Sequence, residues 1–332
     1  MVHSSSIGGA ALNVRVLQRQ LAALLPEARP AGEERTLELG FPGNDAPRLI
    51  SATVLEEGIM RAHRVPDPPM AGFRAFLDGT QRSEIASYVG TIPVVLGHVA
   101  AVVRERRDRR MSTWDAPLVE DRIYVPRAFL PAVTWDTLAA SFHGMLVDVT
   151  DGSADVASHP FALRDAALHR VQAHREQVEQ RLAERWCATE GDPLFIDGGI
   201  SGSEKVAVSA NTVGVVKSHR TLYAEGDALA VVLGLAHRER SSVVRITSPR
   251  RTTVASWYLR LRDPDGHDPM WGLVRVEVAY PEPPAMGRVG ELANDVSRWI
   301  LAEASPLALP DARWDKMVYG VRDCEEFLRA IR

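Results

Sequence analysis

The chain has little cysteine and no long apolar run, and each shortage closes off a class of protein. Two cysteines occur in 332 residues, Cys187 and Cys324, with no CxxC spacing. A disulfide framework and a zinc–thiolate site are both excluded on that count. The longest apolar stretch, IPVVLGHVAAVV at 92–103, is too short to span a bilayer and carries a histidine, so no membrane partner is expected. The N-terminal MVHSSSIGGAALNVRVLQRQ lacks a basic segment followed by an apolar core; no secretory signal is read there, and a cytoplasmic location is expected. There is no repeat of fixed period and no low-complexity tract. What remains, 45% apolar and 25% charged residues, is the composition of an ordinary soluble globular protein.

A net charge of −4 argues weakly against a nucleic-acid partner, but its distribution matters more. RERRDRR at 104–110 and RSSVVRITSPRR at 240–251 are basic concentrations of the kind that track phosphates. A solvated arginine-rich face is the competing reading of each.

Apolar periodicity places a helix over LNVRVLQRQLAALLPEA and a second around TVLEEGIMRAHR. The proline cluster VPDPPM at 65–70 then reads as a hinge. FRAFLDG is a strand, and the valine-rich YVGTIPVVLGHVAAVVRER supplies one or two more. Residues 111–160 are mixed, with a strand-like RIYVP and a helix-like WDTLAASFHGML. A long helix, FALRDAALHRVQAHREQVEQRLAERWCA, precedes the strands PLFID and TVGVVKSH and a helix over GDALAVVLGLAHRER. TTVASWYLRLR and WGLVRVEVAY form a hairpin, and helices at about 287–304 and 321–331 end the chain. The order predicts an α/β fold, a mixed sheet flanked by helices.

Two apolar runs end in Asp-Gly: FRAFLDGTQRS at 73–83, with Asp78, and PLFIDGGIS at 193–201, with Asp197. One such ending is explained by a turn, in which Asp caps its own backbone and Gly takes positive φ. Two are explained less well, because a buried carboxylate is costly unless paired or bound to a cation. Neighbouring strands ending side by side would gather hard oxygen ligands of the kind Mg²⁺ or Mn²⁺ prefers. In the long helix, Val171, Arg175, Glu179, Leu182 and Trp186 recur on one face. Glu179 is therefore expected at the sheet, against the alternatives of a pair with Arg175 or of Glu176 in its place. Lys217 interrupts an apolar run and either snorkels to solvent or reaches a metal-held phosphate, with His219 and Arg220 as possible helpers.

An Asp-Gly after an early strand, a helix with an inward Glu, a second strand ending in Asp-Gly, and a strand reading VGVVKSHR together resemble the NurA nucleases. The resemblance runs from about residue 70 to the C-terminus. It implies an N-terminal helical segment over 1–70, with a possible dimer or partner contact, and a ribonuclease H-like nuclease domain over 71–332 with an insertion around 111–160. It further implies DNA cleavage with two Mn²⁺ or Mg²⁺ ions, a homodimer, and a HerA-like hexameric ATPase as partner in DNA end processing or antiphage defence. Asp78, Glu179 and Asp197 match the family's metal-binding acids, and Lys217 its lysine-bearing strand. The C-terminal motif departs: Tyr319 is present but no histidine follows, leaving Asp323, or Glu326, as the expected last ligand. That departure keeps two rivals open, a catalytically inactive adaptor docking on a motor ATPase and another ribonuclease H-like enzyme such as a resolvase. The apolar stripe of LNVRVLQRQLAALL has two readings, a dimer seam or packing on its own domain; Trp257, Tyr258 and Trp271 are read as base-stacking or core residues.

Overall fold

A computed structural model describes residues 13–30, 36–37, 47–108, 110–151, 158–282, 285–304 and 318–331. The remainder of the expected N-terminal segment (1–12, 31–35 and 38–46) lies outside the described residues. The fold is α/β: a large mixed sheet with helices against it. Seven strands carry the argument: β1 (Ala75–Val89), β2 (Ile92–Arg107), β3 (Arg110–Val125), β4 (Leu194–Asp197), β5 (Thr212–Val216), β6 (Val254–Arg260) and β7 (Leu273–Ala279). Four helices accompany them: α1 (Val14–Leu24), α2 (Pro160–Thr189), α3 (Val289–Ala304) and α4 (Tyr319–Ala330). The sheet runs β6-β7-β5-β4-β1-β2-β3 across its middle. The two-residue links between β1, β2 and β3 permit only antiparallel neighbours. By contrast, β4 runs parallel to both β1 and β5.

The chain divides into two compact units, but not at a single cut near residue 70. One comprises Met1–Pro42, Thr80–Ala100 and Val119–Gln177; the other comprises Gly43–Gly79, Ala101–Leu118 and Val178–Arg332. In the first unit, Asn13 caps α1 by accepting from the Arg15 N–H. Leu17 and Leu21, one turn apart, are fully buried with Val89, Leu96, Ile123 and Leu138. The buried leucines of the α1 stripe thus pack into its own core.

In the second unit, Phe73, Phe76, Phe195 and Trp299 form an aromatic stack of edge-to-face and tilted pairs under the starts of β1 and β4. Gly320 lets α4 lie against this stack, because a Cβ there would sit 2.2 Å from the Phe76 ring. Trp257 and Tyr258 are fully buried core residues, with Trp257 Nε1 donating to Ser297 Oγ at 3.0 Å. They are not available to stack on bases. Trp271 lies face to face with His267.

Three local expectations change. TVLEEGIMRAHR is not a helix but two short edge strands, Thr53–Val54 and Ala62–Arg64, paired to 244–245 and 239–241. Glu57 and Gly58 both have positive φ, which breaks a helix there, and edge pairing supplies the backbone partners instead. The helix over GDALAVVL stops at Leu233, and Glu239–Ser241 joins the sheet. The Asp78-Gly79 pair does not end a strand: β1 continues to Val89.

Candidate functional site

The register of the parallel strands decides where the two aspartates meet. β4 pairs with β1 as Leu194↔Ala75, Phe195↔Phe76 and Ile196↔Leu77. Asp197 and Asp78 are the next residues on each strand, so adjacent parallel strands carry their carboxylates side by side. Asp78 is 6% exposed, while Asp197 is half-buried. On the other side of β4, Asp197 pairs in register with Val215 of β5. Lys217, two residues further, shares that face by strand alternation. Its Nζ lies 2.8 Å from Asp197 Oδ2.

Glu179 reaches the cluster from α2, whose Val178, Leu182 and Trp186 are buried and fix the helix rotation. The carboxylate lies against the backbone of Gly79: a Cβ there would stand 2.2 Å from Glu179 Oε1. Glycine at 79 is therefore what admits the glutamate beside Asp78. Glu176 does not compete; it accepts from Gln172, one turn earlier.

The Asp78 carboxyl is held well above the usual carboxylate range. Burial is the main cause, the Asp197 charge adds to it, and Glu179 adds further. Lys217 and the Gly79 N–H oppose the shift. A buried carboxylate beside two more acids is an electrostatic setting that a cation would relieve. Cys324 sits nearby, its buried thiol donating to Phe76 O at 3.3 Å and pushed up in pKa by burial first and Asp78 second.

Asp323 is not brought to this cluster. Its Oδ1 accepts from Arg104 Nε at 2.5 Å. Arg104 also donates to Thr113 Oγ1 at 2.6 Å and lies over the Phe327 ring. The carboxylate is thus held by a structural cation rather than offered as a last ligand. Glu326 pairs with Arg322 on an exposed helical turn. Among the described residues, no group of three His, Cys, Asp or Glu side chains stands close enough to hold a metal ion as they are. His219 donates from Nε2 to Leu273 O.

Three arginines of the basic run at 104–110 are already paired with carboxylates. Arg104 pairs with Asp323, Arg106 with Glu303 through two bonds, and Arg107 with Glu105. Arg240 is buried against Glu56 and Asn294. Arg245, Arg250 and Arg251 are the exposed basic residues of 240–251, and Arg251 lines a cleft with Arg220 and Arg275.

No protein-family model matches the chain, and no curated protein matches it significantly.

One residue escaped the sequence reading. Glu277, on β7, is 2% exposed and accepts from the Ile200 N–H at 2.9 Å and from Arg275 at 2.8 Å. It pins the Gly198–Ile200 turn that follows Asp197. The signal was the pair of charged residues in the otherwise apolar WGLVRVEVAY.

Proposed function

We propose that the chain is a divalent-metal-dependent nuclease of the NurA type, hydrolysing phosphodiester bonds of DNA. The observation that supports this reading is that Asp78 and Asp197 each follow the last paired residues of adjacent parallel strands, with Glu179 over Gly79 and Lys217 on Asp197. The donor set fits Mg²⁺ or Mn²⁺ in chemistry: three carboxylates, all hard oxygen ligands, one of them buried, with its pKa raised first by burial and then by the Asp197 and Glu179 charges. Asp78, Asp197 and Glu179 would hold the metal, which would supply a polarised phosphoryl group and an activated water. Lys217, already on the cluster, would offset the phosphate charge. Among the described residues the three acids are not spaced as a metal cage, so a cation would have to draw them together.

The ribonuclease H-like description of the core, the homodimer, the HerA-like ATPase partner and a role in end processing or antiphage defence belong to the same proposal. They rest on the motif resemblance. The test is Asp78→Ala in a digest of linear DNA with Mn²⁺, where activity is expected to vanish. Undiminished digestion by a folded D78A protein would refute the assignment.

A second reading is favoured by one observation: Asp323 is bound to Arg104 and supplies no fourth carboxylate. It makes the chain an adaptor that keeps the fold without the chemistry. Calorimetric titration with Mn²⁺ separates the two, since an adaptor shows no saturable heat that D78A abolishes.

A further inference from the structure

Behind the acidic cluster lies a second feature with opposite chemistry. A cleft of about 340 Å³ is lined by Arg220, Arg251 and Arg275, by five serine and threonine hydroxyls, and by a single carboxylate, Glu277. Its wall includes Val216 and Ser218, the two neighbours of Lys217. The register shows which way it faces. Val216 pairs with Arg275 and Gly214 with Glu277, whereas the intervening Val215 pairs with Asp197. Side chains alternate along a strand, so Arg275 and Glu277 project from the face opposite Asp197 and Lys217. Acid site and basic cleft share the same strand ends, back to back.

Three guanidinium groups face one carboxylate in the lining, so its formal charge is positive. Glu277 is turned inward, bound to Arg275 and to the Ile200 N–H. Arg275 also lies over the Tyr223 ring, which fixes its direction. Arg251 donates to Ser201 Oγ at 3.5 Å, and no carboxylate pairs with it among the described residues. Three guanidinium groups with convergent hydroxyls form a receptor for a phosphate oxyanion.

We infer that this cleft binds a terminal phosphate monoester of a nucleic-acid strand. A diester within a strand presents two non-bridging oxygens and one negative charge. A terminal monoester presents three oxygens and nearly two charges, which better matches a lining of three arginines and one carboxylate. The volume lies near the lower end of small-ligand sites, enough for a nucleotide terminus and too small for a duplex. The strand-end assignment rests on the nuclease reading; the preference for a monoester does not.

The test measures binding without hydrolysis. Internally labelled single-stranded oligonucleotides with a 5′-phosphate, a 3′-phosphate or hydroxyls at both ends are titrated by anisotropy, in EDTA at one fixed ionic strength. One phosphorylated end is expected to bind about tenfold tighter than the hydroxyl strand, the effect of one or two charge-assisted hydrogen bonds. Arg251→Ala, on an exposed residue, should erase that preference, Arg251→Lys should keep part of it, and Asp78→Asn should leave it intact. Equal affinity for all three strands, with no competition from dAMP, overturns the inference. Competition by dAMP without any strand-end preference overturns the strand assignment and gives the cleft to a free nucleotide. Because EDTA removes the metal, either result leaves the hydrolysis assay to decide the nuclease reading separately.

Discussion

Alanine at position 79 would test Glu179 without touching its charge. A Cβ built on Gly79 falls 2.2 Å from Glu179 Oε1 and 2.9 Å from its Cγ and Cδ. Cβ contacts do not fall below 3.0 Å, so the glutamate must give way. A retreat of about 1 Å in a positioned group costs on the order of 10²-fold in rate. Stability should scarcely change. The obstructing atoms belong to the end of a flexible side chain, and replacing a strand glycine returns roughly 0.5–1 kcal/mol. The thermal midpoint should stay within about 4 °C of wild type. Digestion of linear DNA should drop about 10²-fold, and calorimetry should show Mn²⁺ binding weakened about tenfold. The decisive control is Gly79→Ala in a Glu179→Ala background, where the alanine should have no further effect, because its only route to the site has been removed. Wild-type Mn²⁺ affinity in the G79A protein would refute the placement of Glu179 among the ligands. A large loss in the double variant, beyond E179A alone, would show that Gly79 acts through the backbone instead.

The remaining expectations follow from the same geometry. Burial and the Asp197 charge raise the Asp78 pKa above its unfolded value, so the native protein binds more protons than the unfolded chain between the two. Metal-free stability should therefore be fullest below the ordinary Asp range and fall as pH rises through the raised value; D78N should flatten that slope, and a denaturation series from pH 4 to 9 reads it. Asp323→Asn should lower stability by about 1–3 kcal/mol by weakening its bond to Arg104, while leaving Mn²⁺ affinity unchanged; a loss of affinity at unchanged stability would restore Asp323 as a ligand. Gly320→Ala should destabilise by about 1–3 kcal/mol, because the obstruction is the rigid Phe76 ring at 2.2 Å. A neutral G320A would mean that α4 can lift from β1 freely.

The long periodic elements were legible in the sequence. α2, α3, α4 and the β6–β7 hairpin fall close to their expected places, because amphipathic spacing over many residues outweighs local accidents. The convergence expected of Asp78 and Asp197 could be read because both follow apolar runs buried on adjacent strands. Other parts depended on partners distant in the chain. TVLEEGIMRAHR carries helical spacing, but strands near residues 240 and 245 claim its two ends. Asp323 and the arginines at 104–107 each look available in sequence, and only the fold shows that Arg104 and Asp323 hold one another. The cleft was half legible: the arginine-rich 240–251 segment pointed to it, but Arg220 and Arg275 come from other strand ends. The division into two units could not be read, since each is assembled from three separate stretches of chain.

The buried thiol of Cys324 offers a built-in chemical clock. It is fully enclosed, bonded to the Phe76 carbonyl and disfavoured as a thiolate, so an alkylating reagent meets neither an exposed nor an activated sulfur. Modification has to wait for the C-terminal helix to open. Its labelling rate, set against that of the half-buried Cys187, would time how often that helix leaves the strand bearing Asp78.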